Sequence, residues 1–214
     1  NAKLQVNTGA SNDYDGIMIG GGYTRSTIQN GANYDLILTS NAYPANATSY
    51  GIRFKCGSSG GGGPHERMRI SPEGYVTKSG TPSFFVNASP TIGTQSGNTY
   101  VAYSFSNIKH NVGSHYNNSN GRFTAPVAGT YMFGGGLWCT SSDNNSGSHL
   151  LVFDKNGSEA GVGCNHRHSG NQLMATLCIE LAANDYIQLG FASGSGGTVQ
   201  GSTPRNYFWG YLVG

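Results

Sequence analysis

Two short stretches of the chain concentrate side chains that could bind a ligand. The first carries a carboxylate and two amides, and the second carries two imidazoles around a guanidinium. The six residues are Asp143, Asn144, Asn145, His166, Arg167 and His168. Short carboxylate and amide side chains suit the hydroxyl groups of a sugar, while the cationic residues add charge and a flat stacking surface. Both stretches are rich in glycine, serine and asparagine, which predicts exposed loops.

The sequence does not predict a catalytic site. The chain has ten acidic residues, and those of the second half fall in separate predicted elements. A glycosidase instead needs two carboxylates about 5–10 Å apart in one groove. The glycine run 60–63 lacks both the strand-to-helix context and the Lys-Ser/Thr of a phosphate-binding loop. We therefore predict that the protein is not an enzyme and needs no cofactor.

The elements that position the two stretches are predicted to be β-strands. From Gln172 to Ala182, every odd position is apolar, and a two-residue period indicates a strand with one buried face. The same period returns at 131–139, at 187–191 and at 207–213, where Phe208 and Leu212 make the second face apolar as well. No window has a helical period. Closely spaced strands without helices predict an antiparallel sandwich.

The composition agrees with an all-β protein that has long polar connections. Glycine supplies 34 of 214 residues, charged residues are only 10 %, and the chain has 13 tyrosines and 9 phenylalanines. Low charge argues against solvated helices, and the aromatic content argues against disorder. A net charge of +2 without a basic run predicts no nucleic-acid binding, and no apolar run could insert into a membrane. The four scattered cysteines are interpreted as free thiols.

Residues 1–80 differ in character from residues 81–214. Their apolar pieces are short and are separated by turn signals such as Asn30-Gly31 and the run 58–64. Such strands cannot close a core alone, so we expect partner chains to cover them. The chain starts without an initiator methionine or a signal peptide, from which we expect a piece of a longer or processed protein.

One segment of residues 81–214 resembles the signature of the C1q-like domain. Within 116–133 the residues that carry the resemblance are Tyr116, Gly121-Arg122-Phe123, Pro126, Gly129, Tyr131 and Phe133. The segments 82–86 and 206–212 are similar to the first and last strands of that family. The resemblance covers about 81–214, and it implies an antiparallel jelly roll that associates with two identical chains as a homotrimer.

A second resemblance concerns the segment just before this domain. Glu66-Arg67-Met68-Arg69-Ile70, followed by Gly74-Tyr75-Val76, is similar to the repeat that closes shaft segments of bacteriophage tail fibres, notably those of cyanophages. The resulting prediction is a β-rich fibre shaft or neck segment at 1–80 and a C1q-like jelly-roll head at 81–214. The resemblance implies a virion component that contacts upstream fibre or tail proteins and works outside the cell.

Strand parity predicts which end of the head carries function. It assigns the connections 140–148, 164–171 and 193–204 to one distal end, and the short turns 155–158 and 183–185 to the base. Our hypothesis is that the distal loops attach a trimeric head to a host surface polysaccharide or protein, with avidity from several copies. Two alternatives stay open: a structural trimerisation or capping module without a receptor role, and a secreted C1q-like adhesin.

A metal site at the distal end is the weaker hypothesis. Alternate residues of an extended segment point to one side, so three copies of His166 and His168 would offer six nitrogens to an octahedral metal. Arg167 and the glycine-rich surroundings favour a surface loop instead. Cys164 with the two histidines lacks the second ligand pair of a structural zinc site. We therefore predict no bound metal, with His166 and His168 as the only candidates.

Overall fold

A computed structural model describes the chain except residues 1–3, 8–15, 20–23, 31–35, 43–50, 57–64, 88–91, 97–99, 142–148, 167–170 and 202–204. The chain divides into two compact units, Asn1–Ser79 and Gly80–Gly214. The described residues contain strands and turns and no helix. All pairings between strands are antiparallel. The predicted all-β class is therefore confirmed.

The first unit contains two small sheets of consecutive strands. One sheet is formed by β1 (Leu4–Asn7), β2 (Gly16–Ile19), β3 (Thr24–Asn30) and β4 (Leu36–Ala42), and the other by β5 (Ile52–Cys56), β6 (His65–Ile70) and β7 (Val76–Thr77). A tight turn at 71–75 joins β6 to β7. The amide of Gly74 donates to the carbonyl of Ser71 (3.0 Å), and Gly74 has a φ of 88°, which glycine adopts at no steric cost.

The second unit is a sandwich of two sheets. Its strands are β8 (Ser83–Asn87), β9 (Ile92–Ser96), β10 (Val101–Ala102), β11 (Asn107–Val112), β12 (Tyr116–Asn117), β13 (Arg122–Thr124), β14 (Gly129–Ser141), β15 (His149–Lys155), β16 (Ser158–His166), β17 (Asn171–Leu181), β18 (Tyr186–Ser193), β19 (Ser195–Val199) and β20 (Tyr207–Leu212). Sheet I has the order β11-β8-β20-β14-β19-β9, with β17 also paired to β14. Sheet II has the order β12-β13-β18-β15-β16, with β10 paired to β18.

Aromatic side chains fill the space between the two sheets. Phe84 packs edge-on against Phe208 (ring centroids 4.8 Å) and stacks on Phe123 (5.0 Å). Leu173 and Leu181 of β17 are buried, and the odd-numbered residues between them pack against the core. The two-residue period read from 172–182 is therefore confirmed as the core-facing side of a strand.

The two apolar faces of the last strand, β20, have different surroundings. β20 lies centrally in sheet I, between β8 and β14. Phe208 and Gly210 are buried toward the core, whereas Tyr207, Trp209 and Tyr211 lie on the opposite side and stay half-buried or exposed. The alternation alone did not distinguish the two faces. Burial in the core is decided by the neighbours in the register, Phe84 and Phe133, which both lie opposite Gly210.

The two ends of the sandwich differ. At the basal end, Thr130 donates to the carbonyl of Gly214 (2.8 Å), and Leu212 donates to that of Pro82 (3.0 Å). The turns at Asn156 and Asn184 have positive φ (54° and 73°), a conformation that asparagine tolerates. The chain therefore enters this unit at the same end that carries the short turns.

Candidate functional site

The strand ends that carry the predicted loops lie together at the distal end of the sandwich. His149 pairs with both His166 and Ser193, and Cys139 pairs with both Asn171 and Val199. The connection predicted at 193–204 is partly a strand, because β19 adds to the edge of β14. The described ends of β14, β15, β16, β17, β18 and β19 therefore meet at one end of the sandwich.

The predicted site residues fall mainly outside the part of the chain that the structure describes. Asp143, Asn144, Asn145, Arg167 and His168 lie there, so their role in binding stays a prediction. For His166 the structure places the backbone, at the end of β16 and opposite His149. No group of three His, Cys, Asp or Glu side chains that could hold a metal occurs among the described residues.

A buried histidine forms the floor of the distal end. The His149 ring is 2 % exposed and stacks on Phe191 (centroids 5.7 Å). Its Nδ1 lies 3.0 Å from Oγ of Ser193, which is itself fully buried. Burial makes this contact structural rather than nucleophilic, and it joins the ends of β15 and β18. Sequence reasoning missed this residue. Its only signal is that it shares an alternate position of β15 with the buried Leu151 and Phe153.

A cation lies on an aromatic ring at the distal end of sheet I. The guanidinium carbon of Arg205 is 4.1 Å from the ring centroid of Trp138. Arg205 is exposed and Trp138 half-buried, while Gln172 Nε2 donates to the Arg205 carbonyl (2.7 Å). An exposed guanidinium held over an indole offers charge, hydrogen-bond donors and a stacking surface to a ligand. Neither residue was among the six candidates, because only the fold places them near the loops.

The side of sheet I that faces away from the core is rich in aromatic residues. We call this side the outer face of sheet I. Phe85, His110, Trp209 and Tyr211 line an apolar groove of about 420 Å³ on it. The rings of Trp209 and Tyr211 stack (centroids 6.0 Å, 13° between planes). A Cβ at Gly134 would lie 2.2 Å from the Trp209 ring, so glycine lets the indole rest on β14.

Large apolar side chains on the outer face of sheet I are exposed to solvent. Tyr211 is 41 % exposed and Met174 58 % exposed, and both lie on this side of the sheet. An exposed apolar patch such as the groove lined by Trp209 and Tyr211 marks interaction sites in soluble proteins. The outer face is therefore a candidate surface for contact with another chain.

The outer side of sheet II is polar. Asp154 and Gln188 lie opposite each other on β15 and β18 and are buried. The Arg122 guanidinium lies 3.9 Å from the centre of the Tyr186 ring. Burial, and then the charge of Asp154, raises the pKa of the Tyr100 hydroxyl. Within the described part of the chain, that hydroxyl and Nε of Arg122 are buried without a hydrogen-bond partner.

The charged groups of the basal turns serve structure. Asp185 accepts hydrogen bonds from Asn156 Nδ2 (2.7 Å) and from the Ala182 amide (2.8 Å), and pairs with Lys155 Nζ (3.0 Å). These contacts lower the pKa of Asp185 to about 2, with the Asn156 hydrogen bond as the largest cause. The basal end is thus held by a closed network of hydrogen bonds and one ion pair. Among the described residues there is also no helix long and apolar enough to cross a membrane.

A match to a known domain family agrees with this architecture. Residues 83–213 match the C1q domain. Similar solved structures include the globular domain of zebrafish complement 1qA protein (14 % identity, 62 % of this chain and 98 % of that chain, TM-score 0.39). The crystal structure of murine APRIL at pH 8.5 is also similar (8 % identity, 62 % of this chain and 99 % of that chain covered, TM-score 0.45). No curated protein sequence matches significantly. The match to the C1q domain spans more than half of this chain, and the chain therefore belongs to the C1q domain family.

Proposed function

We propose that the protein is the tip of a homotrimeric viral tail fibre and attaches it to the host cell surface. In this proposal residues 1–80 are the shaft or neck and residues 81–214 are the head. Three heads associate through the outer face of sheet I, and the distal loops bind a surface polysaccharide or protein. The protein acts by binding and performs no chemical reaction.

The outer face of sheet I is the observation that carries the proposal. An apolar groove lined by Phe85, Trp209 and Tyr211 would be costly to leave in water, and self-association would bury it. A cyclic trimer needs contact surfaces that a copy of the same chain can cover. Burying the apolar surface of aromatic rings contributes about 25 cal/mol per Å² of surface removed from water, and it is the dominant favourable contribution to such contacts.

The position of the distal end supports the attachment role. The chain enters the head at the basal end, where Leu212 donates to Pro82, and the Arg205–Trp138 pair lies at the opposite end. In the proposal the distal loops project from that opposite end as well. Asp143, Asn144, Asn145, Arg167 and His168 would add polar and cationic groups there. One copy of such a site binds weakly, and three copies on one trimer raise the avidity.

Assembly is tested by the solution mass of the full chain from light scattering. We expect a mass close to three times 22.5 kDa. Tyr211→Asp places a charge on the outer face and should shift the mass toward one chain. Ala102→Asp, at an exposed position of β10 on sheet II, is the control and should leave the trimer intact. A wild-type monomer would refute the trimeric fibre tip.

Attachment is tested with variants that keep the trimer. Arg167→Ala, Asp143→Ala and Arg205→Ala should reduce adsorption of the labelled protein to host cells at least tenfold, whereas Lys109→Ala on β11, an exposed residue of the head, should not. Unchanged adsorption in all three variants would favour the alternative, a structural clamp that registers three chains while the receptor site lies elsewhere. Unchanged mass with and without a strong chelator is expected, because the proposal uses no metal.

A further inference from the structure

The three-stranded sheet of β5, β6 and β7 has one apolar side. Ile52, Ile70 and Val76 stand in register across the three strands, and Phe54 pairs with Met68 in the next row. We call this side the apolar neck face. Its five members come from sequence positions that alternate with polar ones in each strand, as the period of a strand requires. The sheet is therefore amphipathic.

The other side of the same sheet is polar and charged. Arg53, Arg69 and Thr77 stand in register there. Nε of Arg53 lies 3.6 Å from the Glu66 carboxylate. A β-bulge between Phe54 and Lys55 shifts the register, so that Lys55 faces Glu66. This side therefore carries charges that water can solvate, although Nε of Arg69 is buried without a hydrogen-bond partner among the described residues.

The apolar neck face remains exposed within a single chain. Phe54 is 43 % exposed and Val76 56 % exposed, while Ile52, Met68 and Ile70 are only partly buried. A three-stranded sheet needs its apolar side packed against another layer to be stable. Within the part of this unit that the structure describes, the apolar neck face is thus not fully covered by another layer.

We propose that the apolar neck face is a second self-association surface, on which copies of this same chain pack their β5–β6–β7 sheets against one another. The inference rests on the proposed trimer for the number of copies. It adds that the neck, and not the head alone, holds the three chains together. The face carries no charge, so identical copies can approach it without repulsion, whereas the side with Arg53 and Arg69 would repel its own copy.

The connection to the head favours a copy of the same chain over a foreign partner. Five residues, 78–82, separate the end of β7 from the start of β8. If the heads associate, this tether holds the neck sheets at an effective concentration of about millimolar, because short linkers act in this way. At that concentration even weakly attractive apolar faces associate. No foreign partner has this advantage.

The test uses two neighbouring residues that lie on opposite sides of the sheet. Val76→Cys places a thiol on the apolar neck face, and Thr77→Cys places one on the polar side. Both are made in the full chain with Cys56→Ser and Cys178→Ser, since these two thiols are exposed. Labelling with a maleimide is followed by mass spectrometry of the tryptic peptide, with light scattering on the same samples over a dilution series.

In the trimer we expect Val76→Cys to react at least tenfold more slowly than Thr77→Cys and to give cross-linked chains on mild oxidation. The protection should disappear on dilution to the monomer. Equal labelling rates in a proven trimer would overturn the neck inference and leave the trimer standing. A monomer with fast labelling at Val76→Cys would overturn both. Protection that persists in the monomer would show that the chain covers its own face, which also refutes the inference.

Discussion

The contrast between two buried tyrosine hydroxyls gives the sharpest test of the fold. Tyr116 is 3 % exposed, and its hydroxyl oxygen accepts a hydrogen bond from the Phe105 amide at 3.0 Å. Tyr116→Phe removes that acceptor and leaves a buried N–H without a partner. A buried donor left in this way costs about 1–3 kcal/mol. We expect the free energy of unfolding to fall by about 2 kcal/mol.

Tyr100→Phe is the matched control with the opposite expectation. Among the residues that the structure describes, the buried Tyr100 hydroxyl has no hydrogen-bond partner. Its removal therefore breaks no bond and relieves a desolvation cost. We expect a change between zero and a gain of about 1 kcal/mol. The difference between the variants should be about 2–3 kcal/mol.

Urea unfolding followed by tryptophan fluorescence measures this difference. Both tryptophans, Trp138 and Trp209, lie in the second unit, so the signal reports on the sandwich. All variants must be compared at one chain concentration, because association makes stability concentration-dependent. A loss above about 1 kcal/mol for Tyr100→Phe would show that its hydroxyl is bonded in solution. A loss below about 0.5 kcal/mol for Tyr116→Phe would refute the hydrogen bond to Phe105.

Three further predictions concern the core and the base of the head. Phe208→Ala empties a fully buried site beside Phe84 and should cost about 3–5 kcal/mol in the same urea assay. Gly210→Ala would place a Cβ 2.3 Å from the Phe133 ring and should cost about 1–3 kcal/mol; an unchanged midpoint would mean that the ring moves freely. The depressed pKa of Asp185, about 2 against an ordinary 3.8, stabilises the fold above pH 4, and this contribution is lost as the pH falls from about 4 to about 2. Asp185→Asn should flatten the pH dependence of stability in that window, and an unaltered profile would refute the network at the base.

The sequence predicted the class of fold well, for a simple reason. In β17 the apolar residues Leu173 and Leu181 and those between them repeat every second position, and the structure buries or packs them on one side. The segment around Gly121–Phe133 carried the family resemblance, and the C1q match at 83–213 bears it out. Both signals are local, because a two-residue period and a turn motif depend on neighbouring residues alone.

The binding surfaces could be predicted only in part. The six residues proposed at the tip came from loop composition, and five of them lie outside the residues that the structure describes. The Arg205–Trp138 pair escaped sequence reasoning because its members stand 67 positions apart and meet only across the ends of β14 and β20. Sequence reasoning also missed His149, because only the packing of the sheets decides whether a histidine in a strand is buried or exposed.

The amino-acid sequence by itself determined the two-residue periods and the family of the head, since both depend on residues close together in the chain. The tertiary structure decided which side of each strand is the core. In β20 both sides are apolar, and the sandwich buries Phe208 while it leaves Trp209 and Tyr211 on the outer face of sheet I. The deciding contacts come from distant strands, with Gly134 providing room for the Trp209 ring and Phe133 closing over Gly210. A period specifies two sides of a strand, and only the packing of the sheets specifies which of them stays available for a partner.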